Sequence, residues 1–272
     1  MSHYSTKIMI NFKEIFIQIL VILGKINFKY MNFNTLKSKN YSKIKRKPSK
    51  IKFLIIHYTG MQSKRVSIKK LMNFKGVNRV SCHYFIDRKG ETIQMVDDDR
   101  VAWHAGKSRW KNFENLNDNS IGIELENKGH EFGYEEFTKK QINKLVKLCV
   151  NLKKKYKIKN SCILGHSDVS PLRKKDPGEK FPWKFLKKKG IGNWYSKSNS
   201  SKKNIQKNLS RNFFFKNLFK IGYRYFSKNI SSKKDTLLVR AFQSRYNQNK
   251  VDGLIDQKTF KISHYLASKV KK

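Results

Sequence analysis

Carboxylates are scarce in this sequence beside its cations. Its 272 residues hold 19 Asp plus Glu against 61 Lys plus Arg, a formal net charge of +42. Any place where acids gather beside a histidine therefore stands out. Cysteine is also sparse: Cys82, Cys149 and Cys162 have no CxxC spacing and are odd in number, which argues against a disulfide framework. Long hydrophobic runs are missing too. The stretch IFIQILVIL at 15–23, between Lys13 and Lys25, is too short for a membrane span and has the length of a signal-peptide core. No small-residue cleavage site and no lipobox cysteine follow it, and a start at Met31 would remove it altogether. A signal or membrane anchor through 15–23 and an extension without consequence both stay open.

What is abundant is lysine. A polyanion partner, such as nucleic acid, an anionic membrane face or an acidic wall polymer, is one reading of that charge. The lysines travel with Asn and Ile, as in an AT-rich coding sequence, and they are spread along the whole chain. A nucleic-acid reader gathers its cations into a patch. No nucleic-acid partner is expected, and no specific protein partner is implied.

Residues 1–49 read as an extension ending in a basic linker, with KSKNYSKIKRKPSK at 37–50. KFLIIHYTG is a short apolar run bounded by Gly60, as in a buried strand. In SIKKLMNFKG, Ile68, Leu71 and Met72 have helical spacing and Gly76 is a plausible cap. SCHYFIDRKGETIQMV predicts two strands joined at DRKG. NSIGIELEN at 119–127 alternates, with Ile121, Ile123 and Leu125 on one face and Gly122, Glu124 and Glu126 on the other. Thr138 and Gln141 form a capping box ahead of the apolar stripe Ile142, Leu145, Val146, Cys149. SCILG is another short strand, ending on His166. The expectation is an α/β domain over 50–192 with a mixed central sheet flanked by helices. A polar, Ser-rich linker at 193–212 and a small three-helix domain at 213–272 follow.

Two histidines, His57 and His166, end strands, where a rigid scaffold meets a pocket. A catalytic zinc takes three protein ligands and keeps one position open for water. Asp176, on the DPG turn, is the candidate third ligand. A base for that water is needed as well. Glu124 and Glu126 share the polar face of one strand, and alternation cannot choose between them; Gly122 leaves room above the sheet. Lys174 and Lys175 directly precede Asp176, and either could face a developing oxyanion.

The blocks FLIIHYTG, SCHYFIDRKGETIQMVDDDRVAWHAG, NSIGIELEN and GHSDVSPLRKKDPGEKFPW together resemble the zinc-dependent N-acetylmuramoyl-L-alanine amidases of the AmpD/AmiD kind, relatives of phage amidases and peptidoglycan-recognition proteins. The C-terminal IGYRYF, VRAFQSRYN and VDGLIDQKTFKI are similar to the three-helix peptidoglycan-binding domain that the AmiD type carries. The resemblance implies one zinc ion on His57, His166 and Asp176, with Asp168 ordering the loop rather than ligating. It implies Glu124 as catalytic glutamate and Lys174 as oxyanion-stabilising lysine. Trp103 and His104 become pocket wall contacting substrate, and His83 becomes mainly structural.

The implied reaction is hydrolysis of the amide between the muramic lactyl group and L-alanine, with peptidoglycan or muropeptides as partners and the helical domain holding wall polymer. The alternative is a recognition protein that binds wall fragments without cutting them; such relatives lose a zinc ligand, and all three are present here. The implied location is the cell envelope, periplasm or outer membrane, or the cytoplasm for a start near Met31.

Overall fold

The computed structural model describes residues 34–196, 210–226 and 233–270. The run at 15–23 lies outside them. No helix of the described residues is long and apolar enough to cross a membrane. Two short strands, β1 (Asn34–Thr35) and β2 (Tyr41–Ser42), precede β3 (Phe53–Tyr58). Helix α1 (Lys64–Met72) leads to the hairpin of β4 (Tyr84–Ile86) and β5 (Thr92–Gln94). The two-residue strands β6 (Val101–Ala102), β7 (Arg109–Trp110) and β8 (Phe113–Glu114) come before β9 (Ser120–Leu125). Then follow α2 (Lys139–Lys155), β10 (Ile163–Gly165), α3 (His166–Val169) and α4 (Trp183–Lys188). Three helices, α5 (Arg211–Ile221), α6 (Lys233–Tyr246) and α7 (Gln257–Ser268), form the C-terminal unit.

The main sheet is mixed, in the order β1-β5-β4-β9-β3-β10, with only β4 and β5 antiparallel. Its central strands are covered on both faces, so β3 reads as an unbroken apolar run. The alternation seen in β9 is real, but its polar face is covered as well: apart from the half-buried Glu124, every residue of the strand is buried. Register puts His57 beside Glu124 and Ile56 beside Gly165, so the ends of three strands meet in one place.

Local chemistry sets the helix ends. Ser63 caps α1 by accepting the Val66 N–H. The helix stops at Asn73 rather than at Gly76, because the Asn73 side chain accepts the Lys75 N–H and turns the chain early. Thr138 caps α2 as expected, accepting the Gln141 N–H at 3.1 Å. Gln141 does not complete the box. Its amide reaches into the sheet and donates to the carbonyls of Ile86 and Glu126.

The basic linker expected before residue 50 is not a linker from residue 34 on. β1 pairs with β5 and β2 with β6. Asn40 is buried and donates to the carbonyls of Leu71, Asn73 and Val80. The Arg46 guanidinium is buried too, against the carbonyls of Asp98, Asn117 and Asp118. Polar composition looks like a linker in sequence, yet these side chains satisfy backbone groups inside the fold.

The C-terminal helices are not a detached module either. Phe214, Leu218, Tyr223, Leu238, Phe242 and Phe260 share one hydrophobic cluster with Phe53, Ile55, Trp110, Leu164 and Val169 of the sheet domain. The two also exchange backbone and side-chain bonds, Lys111 N–H to Gly222 C=O and Gln248 amide to Phe181 C=O. Phe242→Ala should therefore cost about 3–5 kcal/mol and lower a single cooperative transition. Calorimetry with tryptophan fluorescence checks this; two separate transitions, with the sheet domain unaffected, would show independent halves.

Candidate metal centre and active site

His57 leaves the end of β3, His166 opens α3 directly after β10, and Asp176 comes ten residues later. All three are buried. Gly165 lets the last two segments meet: a Cβ there would stand 2.7 Å from Pro177 Cδ. The Ser167 N–H donates to the Asp176 carbonyl at 2.8 Å and fastens the loop. His57 Nδ1 lies 3.0 Å from His166 Nδ1 and 3.0 Å from Asp176 Oδ2, and His166 Nδ1 lies 3.1 Å from the same oxygen.

Proton positions follow from the surrounding network. The Ser120 hydroxyl donates to the Leu116 carbonyl, so its oxygen accepts from His104 Nε2 at 3.1 Å. His104 Nδ1 is then an acceptor and takes the proton of His57 Nε2 at 3.0 Å. His166 Nε2 donates to the Ala105 carbonyl at 3.0 Å. Both Nδ1 atoms are left with bare lone pairs aimed at one point, beside a carboxylate. Such a donor set fits a cation. A tetrahedral zinc with bonds of about 2.0–2.1 Å spaces its ligand atoms by about 3.3 Å, close to the separations found. Among the described residues these three form the group able to hold a metal ion.

Burial, reinforced by the neighbouring His166 and opposed by Asp176, lowers His57 to about 4. Asp176 stays well below the usual carboxylate range because the two histidines outweigh its burial.

Glu124 stands beside His57 on the same face of the sheet, and Lys174 is half-buried. Both line a cavity of about 350 Å³ with the three ligand residues. Glu124 Oε2 is buried without a hydrogen-bond partner. Burial first, then the charge of Asp176, push this carboxyl up to about 8, with Lys174 pulling the other way. Glu126 instead accepts the Arg88 N–H at 3.1 Å, so it is tied to the hairpin turn. Lys175 also borders the cavity but is exposed.

Of Trp103 and His104, only His104 lines the cavity. The Trp103 ring is half-buried under the Arg79 guanidinium, 4.9 Å away, and is not among the residues lining the cavity. His104 has both ring nitrogens committed. Gly122, read in the sequence as leaving room above the sheet, gives that room to His104: a Cβ would meet its ring at 2.3 Å. His83 Nδ1 accepts the Gly122 N–H at 2.9 Å, and Nε2 faces the Arg100 carbonyl. Sequence reasoning missed Ser120, which fixes the tautomers, and Arg173, which donates to the carbonyls of Ala105 and Lys107. Neither stands in a pattern that periodicity reveals.

Residues 47–179 match the family model for N-acetylmuramoyl-L-alanine amidase. The chain is 38% identical over 157 residues to N-acetylmuramoyl-L-alanine amidase AmiD of Escherichia coli, covering 53% of this chain and 55% of that protein. It is 43% identical over 106 residues to 1,6-anhydro-N-acetylmuramyl-L-alanine amidase AmpD of Haemophilus influenzae, covering 39% and 55%. The chain thus spans about half the length of the curated relatives it matches. The solved complex of Escherichia coli AmiD with the substrate anhydro-N-acetylmuramic acid-L-Ala-D-gamma-Glu-L-Lys superposes with a TM-score of 0.73 at 29% identity, over 85% of this chain and 93% of that one. A Pseudomonas aeruginosa relative, AmpDH3 in complex with anhydromuramic pentapeptide, gives 0.75 at 27%, over 91% and 99%.

Two outcomes test this geometry. Gly122→Ala should displace His104 and weaken metal binding about 10–100-fold, read by competition with a chromophoric chelator. His83 provides a pH test. Burial, then Arg46, lower its folded pKa to about 3. The unfolded chain therefore takes up this proton first as pH falls below about 6.5, and His83 costs about 2 kcal/mol of stability by pH 5. The melting temperature should fall from pH 7.5 to 5, with a smaller slope in His83→Asn; identical slopes would refute the assignment.

Proposed function

We propose that residues 47–179, which match the N-acetylmuramoyl-L-alanine amidase family model, are an amidase domain of the AmpD/AmiD type, and that this chain is a zinc hydrolase that cleaves the amide between the muramic lactyl group and L-alanine. The observation that carries the reading is the convergence of His57, His166 and Asp176 beside the unpartnered Glu124 carboxylate in one cavity. The substrate is peptidoglycan or its muropeptides, the class named for the two solved relatives. The place of action is the cell envelope.

His57, His166 and Asp176 would hold one zinc ion. When bound, that ion supplies Lewis-acid polarisation of the scissile carbonyl, a lowered water pKa and a positive charge that favours ionised Glu124. Glu124 Oε2 takes a proton from the attacking water and hands it to the alanine nitrogen as the C–N bond breaks, a role worth about 10²–10⁴-fold. The lactyl group leaves as a carboxylic acid and the peptide as a free amine. Lys174 carries the charge that faces the developing oxyanion. His104 keeps the proton on His57 Nε2, and the Ala105 carbonyl does the same for His166. The helical unit, which resembles a peptidoglycan-binding domain, adds contact with the wall.

Purified chain incubated with an anhydromuramyl peptide should release free peptide with an alanine N-terminus, seen by mass spectrometry. A chelator should abolish release and added zinc restore it. Glu124→Gln should lower kcat at least about 10²-fold with metal retained, whereas Glu126→Gln should change it little. Intact substrate after incubation with zinc-loaded protein would leave only a binding role.

A further inference from the structure

Asp168 follows the ligand His166 by two residues, inside a helix of only four. Such a helix cannot be stable by itself. Its carboxylate is 1% exposed, and its partners come from two directions. Oδ2 accepts the Gly165 N–H at 2.8 Å, a local bond. The other two donors come from the C-terminal unit. Arg245 Nη1 donates to Oδ2, and the Tyr223 hydroxyl donates to Oδ1 at 2.5 Å.

Arg245 does more than neutralise Asp168. Its second terminal nitrogen donates to the Ile163 carbonyl at 3.0 Å, on the strand that leads into His166. One guanidinium thus grips the chain on both sides of the ligand. It stacks 4.0 Å from the Trp183 ring and is 2% exposed; Tyr223 is 0% exposed. Burial disfavours the guanidinium charge, and the Asp168 carboxylate beside it more than offsets that. Both donors sit in the stretches whose sequence resembles a wall-binding module, IGYRYF and VRAFQSRYN. These two side chains face the metal centre's scaffold.

The helical unit also covers the right face. Phe53 and Ile55 share the face of β3 that carries His57, and they pack into the cluster formed with the C-terminal helices. His166 Nδ1 has to stay 3.0 Å from His57 Nδ1. The Gly165 N–H just before it is held by Asp168, and Asp168 is held by residues that follow it by 55 and 77 positions.

We propose that Tyr223 and Arg245 are positioning residues of the metal centre, acting through Asp168 to set His166, and that the C-terminal helices are therefore part of the catalytic scaffold. This rests on the proposed metal site, but not on the substrate assigned to it.

The test uses the full chain and zinc alone. Tyr223→Phe removes one hydroxyl, and Arg245→Lys keeps the charge but loses the forked grip and the stacking. Leu266→Ala, in the same helical unit and outside this network, is the control for general destabilisation. Zinc affinity is read by chelator competition, folding by circular dichroism, and loop order by hydrogen exchange at the Ser167 amide. Both network variants should bind zinc about 10–100-fold more weakly and exchange Ser167 faster. With zinc saturating and a muropeptide as substrate, they should lower kcat more than they raise KM. Leu266→Ala should lower the melting temperature and keep zinc affinity within twofold. The proposal is overturned if Tyr223→Phe and Arg245→Lys bind zinc within twofold of wild type. It is equally overturned if Leu266→Ala weakens zinc as much at the same loss of melting temperature. Failure to cleave any muropeptide would sink the amidase reading alone, because the zinc measurement needs no substrate.

Discussion

Two imidazole nitrogens without protons sit 3.0 Å apart and face one carboxylate oxygen. Lone pairs at that distance repel unless a cation stands between them. Everything nearby serves to keep protons off these atoms. One proton is drawn back along His57, His104 and Ser120 to the Leu116 carbonyl, and the other is held by Ala105. The sequence meets the steric demands with two absent side chains. Gly122 admits the His104 ring, and Gly165 admits Pro177. Tautomer control of this kind raises ligand basicity and fixes ring orientation, so it governs affinity as much as the ligands do.

Electrostatics inside the site oppose those of the whole chain. A protein of net charge +42 places three carboxylates, Glu124, Asp168 and Asp176, around one ligand loop. They are kept apart in role by their partners. Asp176 faces histidines and stays ionised, and Asp168 is neutralised by Arg245. Glu124 has no hydrogen bond at Oε2, and its raised pKa makes it responsive to whatever charge enters the cavity. A carboxyl near 8 holds its proton at neutral pH and releases it when positive charge arrives. The protonation of Glu124 is thereby coupled to the charge that occupies the cavity.

Strand-end histidines and the DPG turn were legible because short apolar runs mark where a buried strand stops. The choice between Glu124 and Glu126 was not. A period of two places both on one face; they are separated by the pairing of Glu124 with His57 and by the Arg88 N–H, 38 residues away, that holds Glu126. Gly122 was legible as a gap but not as one filled by His104, since the filling ring comes from another strand's flank. Composition misled at 34–50, where Asn40 and Arg46 are polar and buried. The bonds to Asp168 from Tyr223 and Arg245 were invisible for a plainer reason: long-range pairs leave no local period.

The shared core also changes what a wall-binding role would mean. Three short helices form only a marginal core by themselves. Packing Phe214, Leu218 and Phe242 against Phe53, Ile55 and Trp110 supplies the missing burial. A module on a flexible tether raises local substrate concentration over the whole volume its linker sweeps. A unit fixed by Arg245 and Tyr223 cannot sweep. Any polymer it holds is offered to the metal centre at one distance and one angle. Contact with the wall would then select which amide reaches Glu124, instead of merely raising how often one does.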